Sequence, residues 1–122
     1  LYPVFQYISE QRKQLGRSEI LLDTRIQACA LIRASELADG FRESENDELE
    51  RLIANRGISS DGGCEFAYGG SKGYEADSLL FHMERDTNLM TVLKDEKINY
   101  MGIGVYEEDG VFYYDMIFVA IP

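Results

Sequence analysis

The chain has 122 residues, of which 45% are hydrophobic and 28% are charged, and its formal net charge is −10. This length is enough for one domain with a substantial core, while the acidic balance excludes the basic footprint by which proteins bind nucleic acids and anionic membranes. No apolar run reaches the ~18 residues of a membrane-spanning helix. We therefore expect a single domain over residues 1–122 that neither binds nucleic acid nor inserts into a membrane.

The N-terminal part of the chain carries two helical patterns. Pro3 suits a first helical turn and Gly16 ends the apolar spacing of three and four, which predicts a helix over residues 3–15. After a short extended link, Asp23 is a good N-cap for the longest predicted helix, residues 24–41. This second helix is apolar almost all round, so we expect it to be central and buried.

The middle of the chain reads as shorter elements separated by glycine-rich turns. An acidic first turn and a basic last turn favour a helix that begins at Ser44 as its N-cap. In chain order the pattern predicts a helix over 44–55, a strand over 64–68, a flexible loop over 69–73, and helices over 74–83 and 87–93.

The C-terminal part is a predicted antiparallel hairpin, with strands over 98–106 and 111–120 joined by an acidic turn that ends in glycine. Both faces of the second strand are apolar, and Asp115 is the only charge between Val111 and Ile121. A strand with one face in water would alternate apolar and polar residues, so both faces of this hairpin should be covered. We predict an α+β fold, an α-β-α sandwich with a small antiparallel sheet of about three strands between helical layers.

Several segments, in this order, resemble the bacterial SCP-like domains of the CAP superfamily, which includes cysteine-rich secretory proteins, antigen 5 and plant pathogenesis-related proteins. The opening resembles a family pattern near VNxxR followed by AxxRAxEL, and GCEFAYG resembles GENIAYG. The matching segments are Tyr7–Arg12, Leu22–Leu37, Gly63–Gly69, Ile103–Val105 and Phe112–Phe118. The resemblance implies the same sandwich fold, a secreted or cell-surface location, and a groove built around a few His and Glu residues.

The residues that the family usually places in this groove are altered here. Glu43 stands where a histidine follows the long helix, and Asn88 stands in place of a second histidine. The family glutamate falls on Cys64, and Glu65 could replace it only through a one-residue shift that turns its side chain to the other face of the strand. His82 stands where a tryptophan is usual. The resemblance therefore implies a degenerate groove with these five residues as its candidate binding residues.

An enzymatic reading of the same residues remains as the alternative. A catalytic zinc site needs about three protein ligands, and Glu43, His82 and either Glu65 or Cys64 form a conceivable set. Cys64 as a nucleophile would need His82 as its base, since this is the only histidine. Spacing alone does not define such a site, and a packed cysteine or a surface histidine is the more common case.

Two further patterns have simpler structural explanations. The acidic run over residues 43–50 lacks the loop spacing of a known calcium motif, and we interpret it as a solvated helix face. The glycine-rich stretch over 69–73 lacks the GxxxxGK[ST] spacing of a phosphate-binding loop.

The function predicted from the sequence is a secreted or cell-surface domain that binds an extracellular ligand or protein without catalysis and without a cofactor. The alternative is a metal-dependent hydrolase that uses a rearranged set of Glu43, Cys64, Glu65 and His82. The chain begins at Leu1, and we expect it to be a mature or trimmed form, so the lack of a signal peptide does not bear on secretion.

The two cysteines are predicted to be free thiols. Cys29 lies 14 positions before Glu43, most of them helical, which corresponds to roughly 20 Å along a helix axis. The resemblance places Cys64 beside the groove and near Glu43. A disulfide requires Cα atoms within about 7 Å, so we expect Cys29 in the core and Cys64 near the groove wall, unpaired.

Overall fold

The computed structural model describes residues 2–72 and 76–122, and these form five helices and one sheet of four strands. The elements are α1 (Tyr2–Gln14), β1 (Leu21–Leu22), α2 (Thr24–Leu37), α3 (Asn46–Ala54), β2 (Gly63–Lys72), α4 (Ala76–Glu84), α5 (Thr87–Leu93), β3 (Tyr100–Glu108) and β4 (Val111–Val119). None of the described helices is long and apolar enough to cross a membrane.

The predicted hairpin is confirmed as β3 and β4, which pair antiparallel in the centre of the sheet. Its turn is tighter than expected. Asp109 and Gly110 both have positive φ, the geometry of a two-residue turn that matches the twist of the flanking strands, so β3 continues to Glu108.

The α+β class is confirmed, but the sheet has four strands rather than about three, in the order β1-β3-β4-β2. The extra strand is β1, which the sequence suggests only as a link. Its two residues pair parallel with Tyr100 and Met101. Such a short pairing leaves no periodic pattern to detect, because it depends on where the chain lies in space.

The strand β2 is twice as long as predicted, and the expected loop over 69–73 is wrong for residues 69–72. The pairing of β2 with β4 shifts register between Gly69 and Ser71, and Gly69 has a φ of +132°. A glycine at a bulge allows the strand to continue beyond an irregularity that reads as a loop in sequence. Residues 73–75, including the start of the helix predicted over 74–83, lie outside the described residues.

Each face of the sheet carries its own buried cluster, which confirms the α-β-α sandwich. The α2-side cluster joins α2 and α3 to the sheet through Ile26, Cys29, Ala30, Leu49, Ile53, Ile58, Ile117 and Val119. The opposite cluster joins α1, α4 and α5 to the other face, and includes Val4, Ile8, Leu79, Met83, Leu89, Leu93, Met101, Met116 and Phe118. Both faces of the hairpin are therefore covered, as its two apolar faces predict.

Two glycines in β3 let α2 lie directly on the sheet backbone. A Cβ at Gly102 would lie 2.4 Å from the Gln27 nitrogen, and one at Gly104 would lie 2.3 Å from the carbonyl carbon of Ala30. These separations are far below van der Waals contact, so only glycine permits this approach. The helix is consequently held against β3 at a fixed depth.

The end of α2 and the start of α3 differ from the prediction because side chains form hydrogen bonds with the segment that joins the two helices. α2 ends at Leu37 rather than near residue 41, and Arg33 donates a hydrogen bond of 2.7 Å to the Arg42 carbonyl in the chain beyond it. The N-cap of α3 is Glu45 rather than Ser44, and its N–H donates to the Glu48 side chain. Ser44 is used elsewhere, in the site described below.

Arg12 is the largest fully buried side chain, and it ties α1 to the segment after α5. Its guanidinium donates to the carbonyls of Ser18, Leu93, Asp95 and Ile98 at 2.7–2.9 Å. A planar guanidinium has enough N–H groups to satisfy several carbonyls in this way, which a lysine would not. The arginine therefore has a structural role.

Candidate functional site

Glu65 and Cys64, the two candidates for the family glutamate position, face opposite sides of the sheet. Successive side chains of a strand alternate between faces. Glu65 pairs with Ile117 in register and shares its face with α2, whereas Cys64 pairs with Phe118 and packs against the opposite cluster. The carboxylate, and not the thiol, therefore faces α2 and the chain that follows it.

Glu65 is buried and its two carboxylate oxygens are occupied by hydrogen-bond donors. Arg33 Nε donates to Oε2 at 2.7 Å, and the Ser44 N–H donates to Oε1 at 2.5 Å. Arg33 is buried as well, and it also pairs with Glu36 at 2.8 Å. A buried ion pair is stable only when further hydrogen bonds satisfy both partners, and this one has them.

Asp115 completes the arrangement from the neighbouring strand β4. Its side chain is fully buried, and neither carboxyl oxygen accepts a hydrogen bond from a described donor. Burial, the hydrogen bond to Glu65 and the charge of Glu65 raise the pKa of Asp115 to about 10. Asp115 is therefore neutral at pH 7, and its proton is donated to the Glu65 carboxylate.

The charges of the pair follow from the same contacts. Burial alone would raise the pKa of Glu65, but hydrogen bonds from Arg33, Asp115 and the Ser44 N–H together lower it. Burial alone would lower the pKa of Arg33, but its hydrogen bonds to Glu65 and Glu36 raise it. At neutral pH Arg33 is thus positively charged, Glu65 is negatively charged and Asp115 keeps its proton. We call these three residues the buried network.

Glu43 lies at the exposed side of this network. Partial burial, the charge of Glu65 and the charge of Asp86 raise its pKa, and a hydrogen bond from the Ala67 N–H opposes that rise. Nearby, the Tyr68 hydroxyl donates to Asp86 Oδ2 at 2.8 Å. Glu43 and Glu65 are therefore brought together by the fold, with Glu43 as the accessible member.

An aromatic pair, one exposed ring and one half-buried ring, lies beside the segment that carries Glu43. The ring of Phe41, whose side chain is exposed, lies 6.4 Å from that of Tyr113. The described surface around Glu43 therefore combines an acidic side chain with two aromatic rings.

Cys64 does not have the surroundings of a reactive cysteine. Burial, with the charges of Asp95 and Glu43, raises the pKa of its thiol to about 12. The thiolate is the nucleophilic form, so this thiol is inert near neutral pH. Cys29 is free as well and belongs to the α2-side cluster, so the sheet separates the two sulfurs.

His82 and Asn88, the remaining candidates, are exposed residues of α4 and α5. The His82 ring packs edge-on against Phe81 with centroids 5.7 Å apart, and the Asn88 N–H is held by the N-cap residue Asp86. Within residues 2–72 and 76–122, no three His, Cys, Asp or Glu side chains are grouped so that they could hold a metal ion.

Sequence reasoning did not identify Arg33, Ser44 or Asp115 as parts of the site. Asp115 did carry a signal, because it is the single charge in an otherwise apolar strand. Arg33 lies on the buried stripe of α2, and a charged residue at such a position requires a partner. Together, Asp115 and Arg33 indicate an internal ionic network. The sequence does not show whether Cys64 or Glu65 is its third member, because that depends on the register of the strand.

No protein-family model matches the chain, and a search of curated protein sequences finds no significant match. Solved structures do match. A cysteine-rich secretory protein from Staphylococcus aureus superposes with a TM-score of 0.79 and 18% identity, and an extracellular protein containing a SCP domain from Bacillus anthracis with 0.80 and 14%.

This chain has the SCP-domain fold. The superpositions cover 98% of it in both cases, which confirms the resemblance noted in the sequence at the level of the fold. An outer surface protein from Borrelia burgdorferi also matches, with a TM-score of 0.82, 14% identity and 99% coverage of this chain. The chain spans 38% and 39% of the Staphylococcus and Bacillus proteins and 92% of the Borrelia protein.

Proposed function

We propose that this SCP-fold domain is a secreted or cell-surface binding module that does not catalyse a reaction. The location is supported by the descriptions of the three structural neighbours, which are a secretory, an extracellular and an outer surface protein. The net charge of −10 is in keeping with a partner other than nucleic acid. Cell fractionation of the source organism tests the location, and recovery of the protein only from the cytoplasm would contradict it.

The observation that carries the non-catalytic reading is the saturation of Glu65. A general base or a metal-ligating carboxylate needs a free oxygen lone pair directed at its target. Both oxygens of Glu65 are instead occupied by Arg33 and the Ser44 N–H, with the neutral Asp115 as a further donor. The carboxylate therefore anchors the segment after α2 and leaves Glu43 as the acidic group open to a ligand.

The alternative, a metal-dependent hydrolase, has less support among the described residues. Cys64 is turned to the opposite side of the sheet and its thiol pKa is about 12. No metal-binding group of three is found among the described residues. The surface around Glu43, with Phe41 and Tyr113 beside it, favours recognition over catalysis.

Zinc titration by calorimetry at neutral pH separates the two readings. For a binding module without a metal centre, we expect no heat beyond dilution for either the native chain or the His82→Ala variant. Zinc binding that is micromolar or tighter, and that His82→Ala abolishes, would contradict the proposal and favour the hydrolase.

A further inference from the structure

β3 has a free edge beyond its short pairing with β1. β1 pairs only with Tyr100 and Met101, and the chain then turns into α2 at Asp23. The carbonyls of Asn99 and Met101 accept from the N–H groups of Leu21 and Asp23, so by alternation the backbone groups of Ile103, Val105 and Glu107 point to the same edge beyond them.

This part of β3 carries few of the devices that usually block an open edge. Such edges are commonly covered, bulged, interrupted by proline or charged along their length. Here the Ile103 N–H has one long contact, 3.4 Å from Gln27 Oε1, and the stretch from Ile103 to Tyr106 has no charge and no proline. Among residues 2–72 and 76–122, this regular strand has no neighbour on that side beyond the two residues of β1.

A groove of about 510 Å³ lies along this edge. Because Gly102 and Gly104 let α2 approach closely, that helix forms one wall of the groove beside the strand. The groove is mainly apolar, and two of its lining residues, Leu22 and Leu31, are 47% and 53% exposed. A contiguous apolar surface of this kind next to unpaired backbone groups is characteristic of a ligand-binding edge.

The charge that is free to attract an occupant lies at one end of the groove. Asp23 is the one charged member of the described lining, and it is paired with Arg25 at 3.0 Å. Three exposed acidic residues follow at the end of β3 and in its turn, namely Glu107, Glu108 and Asp109. An occupant with basic side chains would be attracted to this end of the strand, whereas an acidic one would be repelled.

We propose that the free edge of β3 binds an extended basic peptide segment by strand addition. Its backbone pairs with Ile103, Val105 and Glu107, its apolar side chains lie against Leu22 and Leu31, and its basic side chains face Glu107 and Glu108. A second copy of this chain is a poorer occupant because each copy carries a net charge of −10. This inference does not depend on the surface around Glu43.

The test uses a fluorescein-labelled Lys-Val-Lys-Val-Lys-Val peptide and its Glu-Val counterpart, with fluorescence anisotropy and amide hydrogen exchange on the native chain. We expect the basic peptide to bind, to bind more weakly as salt increases, and to slow exchange of the Val105 and Glu107 amides. The acidic peptide should not bind. Absence of basic-peptide binding, or binding without protection of these two amides, would overturn the proposal.

Variants locate the binding on the edge. Val105→Pro removes an outward N–H at an edge position where proline is tolerated, and Leu31→Ser removes an apolar wall. Each should weaken basic-peptide binding by about tenfold, the effect of one lost interaction.

Phe81→Ser is the matched control for Leu31→Ser because both side chains are 53% exposed, and it should leave binding unchanged. Leu31→Ser keeps the test decisive if Val105→Pro fails to fold. Equal affinities of the native chain and Leu31→Ser would refute the edge as the site. So would dimerisation through this edge, detected by sedimentation of the native chain and lost in Leu31→Ser.

Discussion

At the scale of single residues, the most informative group is Asp115, a carboxylic acid kept neutral inside the domain. Its proton serves as a hydrogen-bond donor to Glu65, which in turn neutralises Arg33. Holding that proton at neutral pH has a thermodynamic consequence, because the same carboxyl group in the unfolded chain is ionised. The network therefore makes the stability of the domain depend on pH.

Replacing Asp115 with Asn should stabilise the domain at pH 7. The folded-state pKa of Asp115 is raised to about 10 from 3.8. As pH rises above about 4, the unfolded chain loses this proton while the folded chain keeps it, so the native free energy of unfolding falls. Asn keeps a donor to Glu65 without this penalty, and we expect a gain of roughly 1–3 kcal/mol at pH 7.

The gain should grow between pH 4 and pH 9, measured by urea unfolding at each pH. Asp109→Asn is the matched control, since Asp109 is exposed in the turn at a positive φ that Asn also adopts. We expect no comparable change with pH from the control. A loss of stability in Asp115→Asn at pH 7 would show that Asp115 is ionised in the folded chain.

At the scale of elements, the contact between α2 and β3 determines the architecture. Gly102 and Gly104 have buried backbones directly beneath the helix, and the helix in turn carries Arg33 to Glu65. The depth of the helix on the sheet therefore controls both the buried network and the wall of the groove along β3.

Gly104→Ala should destabilise the domain by about 3 kcal/mol or more, because overpacking against backbone cannot be relieved by a change of rotamer. The new Cβ would lie 2.3 Å from the carbonyl carbon of Ala30. Gly40→Ala is the control, since a Cβ there meets no heavy atom within 4 Å. Its unfolding midpoint in urea should be equal to or above that of the native chain, and equal midpoints for both variants would argue against the close contact.

At the scale of the whole molecule, the sheet divides the domain into two cores with different partners. The α2-side cluster contains Cys29, and Cys64 packs against the opposite cluster. Cys29 and Cys64 are therefore kept apart because they lie on opposite faces of one sheet, and not because of the length of α2 as the sequence predicts. Cys64 faces the side of the sheet opposite to Glu65, yet it is close enough to Glu43 for that charge to raise the pKa of its thiol.

Thiol counting should therefore find two reactive groups per chain under denaturing, non-reducing conditions. In the folded chain both thiols should react slowly, Cys29 because its side chain is fully buried and Cys64 because the pKa of its thiol is raised to about 12, and Cys29→Ser should lower the count under denaturing conditions from two to one. Freshly prepared monomer that yields no free thiol would contradict the placement of the cysteines on opposite faces.

What the sequence determined by itself were the elements and their layers. Hydrophobic periodicity is a local property, so it identified the β3–β4 hairpin, the buried α2 and the short α5, and the two apolar faces of the hairpin required the sandwich. The order of short motifs was enough to suggest the SCP fold, which the superpositions then confirmed.

Only the tertiary structure decided which residues meet. Whether Cys64 or Glu65 faces α2 depends on a single step in strand register. That step decides whether a thiol or a carboxylate lies on the α2 side of the sheet. The union of Arg33, Glu65 and Asp115 joins three elements that are distant in sequence, and the open edge of β3 exists because β1 leaves the sheet after two residues. Local patterns cannot specify such contacts, since each depends on the packing of the whole chain.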